Sequence, residues 1–117
     1  MRELILAIET STRFSNVALT DAGGDPVAQR ATTPEEGRPL AELVRDCVDG
    51  RWDDVGAYAV GIGPGSFTGL RVGLAFLKGV AAARPRPVVP ISSLAAWAQS
   101  VDDIEASGSA GSRWVVL

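Results

Sequence analysis

The stretch GIGPGSFTGLRVG, residues Gly61 to Gly73, sits between a short apolar run and a long one, and this order constrains the chain more than any other feature. Ala57 to Gly61 (AYAVG) has the length and composition of a buried strand, and the residues from about Gly69 to Ala83 have the length and apolar content of a helix. The junction between them could serve several purposes. A Walker A loop needs a lysine followed by Ser or Thr after its last glycine, and here Gly69 is followed by Leu70 and Arg71. The dinucleotide fingerprint fails as well, because Gly61, Gly63 and Ser66 stand at its glycine positions. What remains is a tight turn permitted by Gly63-Pro64-Gly65, a helix cap from Ser66 or Thr68, and N–H groups able to receive an anion. On the residues alone, the turn and the anion site both stay open.

Upstream, Leu4 to Ile8 (LILAI) reads as a central strand buried on both faces, and Ser15 to Thr20 (SNVALT) as a second strand. Asp21 to Pro26 is a turn, and Val27 to Thr32 alternates apolar and polar, which predicts a three-stranded antiparallel meander. Breakers fill Thr32 to Pro39. Leu40, Leu43, Val44, Cys47 and Val48 then fall at helical spacing, predicting a helix from about Arg38 to Asp49 that Gly50 ends. Arg84-Pro85-Arg86-Pro87 stops the second helix, Val88 to Ile91 is a fifth strand, and Ser92 or Ser93 can cap a third helix running to about Val101. The order is βββαβαβα, an α/β chain. Residues Asp102 to Ser112 are acidic and then Gly/Ser/Ala-rich, as a flexible linker would be, and Arg113 to Leu117 resembles the start of a strand belonging to a missing second subdomain.

At 117 residues the chain is the size of one small domain. Eleven basic residues against fourteen acidic ones, with a pI near 4.8, provide no basic field for nucleic acid, so no direct tRNA or other RNA binding is expected. The single cysteine, Cys47, cannot form an intrachain disulfide, and the chain enters a strand at once without a signal peptide, which reads as cytoplasmic. The apolar stretch from Leu70 to Ala83 is too short to span a bilayer and carries Arg71 and Lys78. Histidine is absent. That removes the commonest general base at neutral pH and the commonest nitrogen ligand for zinc or iron, so any chemistry would rest on carboxylates, hydroxyls or Cys47, and no catalytic residue and no metal site is assigned.

Two further features could carry function. The second helix is apolar almost all the way round, and Ala75, Gly79 and Ala82 or Ala83 make a small-residue stripe that would let another helix approach closely. Packing against the chain's own helices and packing against a partner both fit that pattern. Glu9-Thr10-Ser11-Thr12, an acid and three hydroxyls ending the first strand, could hold a metal bound to phosphate, or could be an ordinary hydroxyl-rich turn. Cys47 lies on the apolar face of the first helix and reads as a packing residue.

Taken in order, ILAIETST near the N-terminus, GPGSFTGLRVG about fifty residues later, then KGVA and PISSLAAWA, resemble the bacterial TsaB (YeaZ) family. The resemblance runs from Leu4 to Leu117, and its most specific part is the loop Gly63, Pro64, Gly65, Ser66, Phe67, Thr68, Gly69, Leu70, Arg71. It implies an RNase H-like fold of the ASKHA (actin-like, sugar kinase, Hsp70) superfamily, with residues 1–101 forming the N-terminal subdomain on a mixed five-stranded sheet. It also implies a noncatalytic dimerisation subunit that supports the transferase TsaD in tRNA threonylcarbamoyladenosine modification. The implied partners are a TsaD-like paralogue, a TsaE-like ATPase reached through the complex, and a second copy when TsaD is absent, with no membrane contact.

TsaD itself holds its metal with a His-x-x-x-His pair on the first helix, whereas this chain has Gly37, Arg38 and Ala41 in that neighbourhood and no histidine. The family pairs subunits through the first two helices. The resemblance therefore places the partner interface on Leu40, Leu43, Val44 and Cys47 of the first helix and Val72, Ala75, Phe76 and Gly79 of the second. An enzymatic alternative, a small ASKHA nucleotide-binding or ATP-hydrolysing domain, would use Glu9, Thr10, Ser11 and Thr12 with Mg²⁺ and ATP as a vestigial nucleotide site.

Overall fold

The computed structural model describes residues 3–96. Strands β1 (Leu4–Glu9), β2 (Ser15–Thr20) and β3 (Pro26–Thr32) are followed by helix α1 (Leu40–Val48), a 3₁₀ turn (Trp52–Asp54), strand β4 (Val55–Gly61), helix α2 (Phe67–Ala83) and strand β5 (Val88–Ile91). A further helical turn occupies residues 93–96. The rest of the expected third helix, the expected linker 102–112 and the expected strand 113–117 lie outside the described residues.

The five strands form one mixed sheet in the order β3-β2-β1-β4-β5. β1, β2 and β3 pair antiparallel as a meander, with Ile8 opposite Val17 and Val17 opposite Arg30, while β4 pairs parallel to β1 and β5 parallel to β4. Each parallel step needs a crossover, and α1 and α2 supply them.

Side chains alternate along a strand, so one face of the sheet receives Leu6 and Ile8 of β1, Val17 and Leu19 of β2, and Tyr58 and Val60 of β4. The same cluster contains Leu43, Val44, Cys47 and Val48 of α1 and Leu77 of α2, which places both helices on that face. Tyr58 is fully buried, and its hydroxyl donates to the Arg84 carbonyl at 2.7 Å, tying β4 to the end of α2. On the opposite face, Ala7, Glu9, Ala18, Ala59 and Gly61 line an open hollow of about 420 Å³ reached by Ala96. No helix among the described residues is long and apolar enough to cross a membrane.

Several boundaries fall one or two residues from those the sequence predicts, each for a local reason. α1 starts at Leu40 rather than Arg38. Arg38 precedes Pro39, which disfavours helical backbone there, and the Arg38 N–H donates to Thr32 Oγ1 at 3.1 Å. α1 ends at Val48, because Asp49 (φ 47°) already turns left-handed ahead of Gly50 (φ 80°). α2 begins at Phe67, since Ser66 is its N-cap and accepts from the Gly69 N–H at 3.2 Å.

Candidate functional site

The glycine loop and the turn after β1 form one assembly. The Ser66 N–H donates to the Ser11 carbonyl at 2.6 Å, and Thr10 Oγ1 donates to the Gly69 carbonyl at 2.6 Å. Gly61, Gly65, Gly69 and Gly73 recur every four residues, and all four abut the turn. A methyl group on Gly61 would strike the Glu9 carboxylate, on Gly65 the Ser11 carbonyl oxygen, on Gly69 the Thr10 carbonyl oxygen, and on Gly73 the Thr10 hydroxyl. The sequence reading attributes Gly63 and Gly65 to a tight turn. Only Gly63, at φ 99°, has the left-handed backbone that such a role requires. The four at regular spacing are there because residues 9–11 lie directly on them.

Glu9 closes the assembly from the other side. Its Oε1 accepts from the Ser11 N–H at 2.7 Å, and its Oε2 accepts from Ser93 Oγ at 2.9 Å. Ser93 Oγ in turn accepts from the Gly63 N–H at 3.0 Å, and the Ser93 N–H donates to the Gly63 carbonyl at 2.9 Å. Of the two serines that could cap the third helix, Ser92 takes that position, with its Oγ accepting from the Ala95 N–H, which leaves fully buried Ser93 for Glu9. Thr12 accepts from the Phe14 N–H as a local turn.

The N–H groups of Gly63, Ser66, Gly69 and Leu70 are thus bonded within the chain. Among the described residues, no three His, Cys, Asp or Glu side chains gather closely enough to hold a metal ion. Ser11 Oγ is the buried side-chain oxygen among the described residues without a hydrogen-bond partner.

The residues expected at a partner surface separate into two groups. Leu43, Val44 and Cys47 are at most 1% exposed and belong to the chain's own core, so their assignment to an interface is corrected. The amphipathic stripe of α1 faces β2 and β3, and Cys47 Sγ approaches the Val17 carbonyl at 3.6 Å. Burial raises the Cys47 thiol pKa, as suits a packing residue. Leu40 and Phe76 are half-buried against the core.

Val72, Ala75 and Gly79 are exposed on the side of α2 opposite its two buried residues, Gly73 and Leu77. Phe67, at 73% exposed, is the most open large apolar side chain among the described residues, and the Arg71 guanidinium lies 5.5 Å from its ring centroid. Pro64 and Thr68 complete the loop and the first turn of α2, with Gly63–Pro64 in the cis form.

Arg38 has a role that the sequence reading did not give it. It bridges Glu42 Oε1 at 2.7 Å and Asp46 Oδ2 at 2.5 Å along the outer side of α1. The hydrogen bond from Arg38 holds the Asp46 carboxyl below the usual carboxylate range, and the two carboxylates raise Arg38 in turn. The only local hint was the four-residue spacing from Arg38 to Glu42 and on to Asp46.

A model of the family described as "TsaD: tRNA N6-adenosine threonylcarbamoyltransferase" matches residues 35–110. The tRNA threonylcarbamoyladenosine biosynthesis protein TsaB of Haemophilus influenzae is 38% identical over 104 residues, covering 86% of this chain and 44% of the relative. The YeaZ structure from Pseudomonas aeruginosa superposes with a TM-score of 0.75 at 34% identity, covering 91% of this chain and 50% of that one. The chain belongs to the TsaB (YeaZ) family. Other TsaB relatives agree: the Escherichia coli protein is 34% identical over 98 residues, covering 81% of this chain and 42% of its own length. The chain thus spans less than half the length of the curated TsaB relatives it matches. A tRNA N6-adenosine threonylcarbamoyltransferase of Ehrlichia chaffeensis is more distant, 26% identical over 115 residues, covering 82% of this chain and 33% of its own.

Proposed function

We propose that the chain acts as a noncatalytic, partner-binding subunit in tRNA threonylcarbamoyladenosine biosynthesis, and that it docks onto a TsaD-type threonylcarbamoyltransferase. The observation that carries this reading is α2, which is apolar nearly all round yet buries only Gly73 and Leu77. The opposite side, with Val72, Ala75 and Gly79, is open to a second helix. The names of the TsaB relatives supply the pathway, and the engaged Glu9 carboxylate favours this reading over nucleotide hydrolysis. One solved relative is described as similar to "peptidase YEAZ", but with no histidine in the sequence neither Ser nor Cys has an imidazole base to activate it.

Size-exclusion chromatography with light scattering tests this reading, using the chain alone and mixed with the TsaD-type protein of the same organism. A stoichiometric complex that Ala75→Glu abolishes, with an unchanged circular dichroism spectrum, is the expected result. A monomer that ignores the transferase would refute the docking role.

A further inference from the structure

Ser11 is where the hydrogen bonding of the site fails to close. The residue is 3% exposed, its N–H donates to Glu9 Oε1 at 2.7 Å and its carbonyl accepts from the Ser66 N–H at 2.6 Å, yet its Oγ has no partner. Burying a hydroxyl without a hydrogen bond opposes folding, and alanine would occupy the same place without that penalty. Packing alone therefore does not account for a serine here.

Glu9 joins two donors of different origin. One, the Ser11 N–H, belongs to the same turn, and the other, Ser93 Oγ, comes from the first turn of the third helix and reaches Glu9 Oε2 at 2.9 Å. The backbone N and the Oγ of one serine lie about 3 Å apart in its gauche rotamers, so a χ1 rotation brings Ser11 Oγ within hydrogen-bonding range of a carboxylate that the Ser11 N–H already holds. The turn thus contains a second donor for Glu9 that goes unused while Ser93 is in place.

The segment that supplies Ser93 is lightly seated. Ser93 is the one buried residue from 92 to 96, whereas Ser92 and Ala95 are exposed and Leu94 and Ala96 half-buried. Strand β5, from which the segment leaves, is exposed at all four positions. Three bonds fix Ser93: its Oγ to Glu9, and a reciprocal pair with Gly63, in which the Ser93 N–H meets the Gly63 carbonyl at 2.9 Å and the Gly63 N–H meets Ser93 Oγ at 3.0 Å. Ala96 borders the hollow on the open face beside Glu9 and Gly61. A segment with few buried contacts, attached mainly through polar bonds, opens more easily than the core around it.

We propose that residues 92–96 form a strap that lifts from the glycine loop as a unit, and that Ser11 Oγ takes the place of Ser93 Oγ at Glu9 when it does. The replacement keeps the carboxylate doubly hydrogen-bonded in both arrangements, which narrows the gap between them and makes the strap a two-state element rather than a fixed wall. In the lifted arrangement the hollow loses its Ala96 border, and the Gly63 N–H and carbonyl are freed. Gly61, whose missing Cβ leaves the Glu9 carboxylate its seat, keeps the acceptor in one place throughout.

Native-state hydrogen exchange of the full chain, followed by NMR at the Ser93 and Tyr58 N–H groups, tests the proposal. Both amides are bonded, to the Gly63 and Pro87 carbonyls, but Tyr58 lies in the core strand β4. In the parent, Ser93 should exchange roughly tenfold or more faster than Tyr58, because lifting the strap does not require the core to open. Ser11→Ala removes the reserve donor and should slow Ser93 exchange by about threefold or more beyond any change at Tyr58.

Equal protection of the two amides in the parent would show that the strap opens only with the whole domain, and would overturn the proposal without any substitution. Faster exchange at Ser93 that Ser11→Ala leaves unchanged or accelerates would overturn it as well, because the orphan hydroxyl would then have no part in the opening.

Discussion

Ser93 Oγ donates to Glu9 Oε2 at 2.9 Å while accepting from the Gly63 N–H at 3.0 Å, so one buried hydroxyl joins the end of β1, the glycine loop and the start of the third helix. Ser93→Ala would leave a carboxylate oxygen and a buried N–H without this partner. A loss of about 1–3 kcal/mol is expected, read as a lower urea midpoint. Glu9→Gln should lose less, because its amide oxygen can still accept from one of the two donors. Neither change should alter background ATP turnover. A specific loss of ATP hydrolysis in Glu9→Gln would instead revive the nucleotide reading.

The glycines divide sharply by what surrounds them. Gly65→Ala and Gly69→Ala push a methyl group into the carbonyl oxygens of Ser11 and Thr10, and each should cost about 3 kcal/mol or prevent folding. Gly79 has nothing within 4 Å of an added methyl group and lies inside a helix. Gly79→Ala should therefore stabilise the chain by about 1 kcal/mol. Thermal denaturation of the three variants checks the contrast, and equal effects would remove the close-approach explanation.

Ser11 Oγ is buried without a hydrogen-bond partner, so its desolvation is uncompensated. Ser11→Ala should be neutral or stabilise by up to about 1 kcal/mol, unlike most buried polar-to-apolar changes. A marked loss of stability in urea would mean that the hydroxyl has a partner in solution.

Arg38 sets an acid dependence. The hydrogen bond from Arg38 lowers the Asp46 pKa in the folded state, so the stabilisation is present above the unfolded carboxylate's pKa and is lost as pH falls through the folded value. Asp46→Asn should be slightly less stable than the parent at neutral pH, the difference being small for so exposed a pair. It should vanish in acid. Denaturant melts of both proteins at neutral and acidic pH give the comparison, and a difference that persists in acid would point to packing rather than charge.

The strands were legible because their signal is local. Ser15–Thr20 and Val88–Ile91 fall where β-branched runs between breakers place them, and the meander follows from turn residues at Asp21 to Pro26. The 3₁₀ turn at Trp52–Asp54 was missed because three residues carry no periodicity. Leu43, Val44 and Cys47 were misplaced for a different reason. An amphipathic stripe looks the same whether a sheet of the same chain or another protein covers it, and only the fold shows that β2 and β3 do. The glycine spacing was in plain view, but its cause lies more than fifty residues away, at Glu9 to Ser11.

That distance has a consequence for how the chain is made. Thr10 waits 59 residues for its carbonyl partner at Gly69, and Glu9 waits 84 for Ser93. On the ribosome, β1, β2 and β3 can pair as a hairpin series soon after they emerge, yet the hydroxyl turn between β1 and β2 stays open until the third helix has begun to leave the tunnel. A loop that emerges before the elements that close it stays open until they follow, and until then its polar groups and the apolar edge of β1 are what a nascent-chain chaperone would meet.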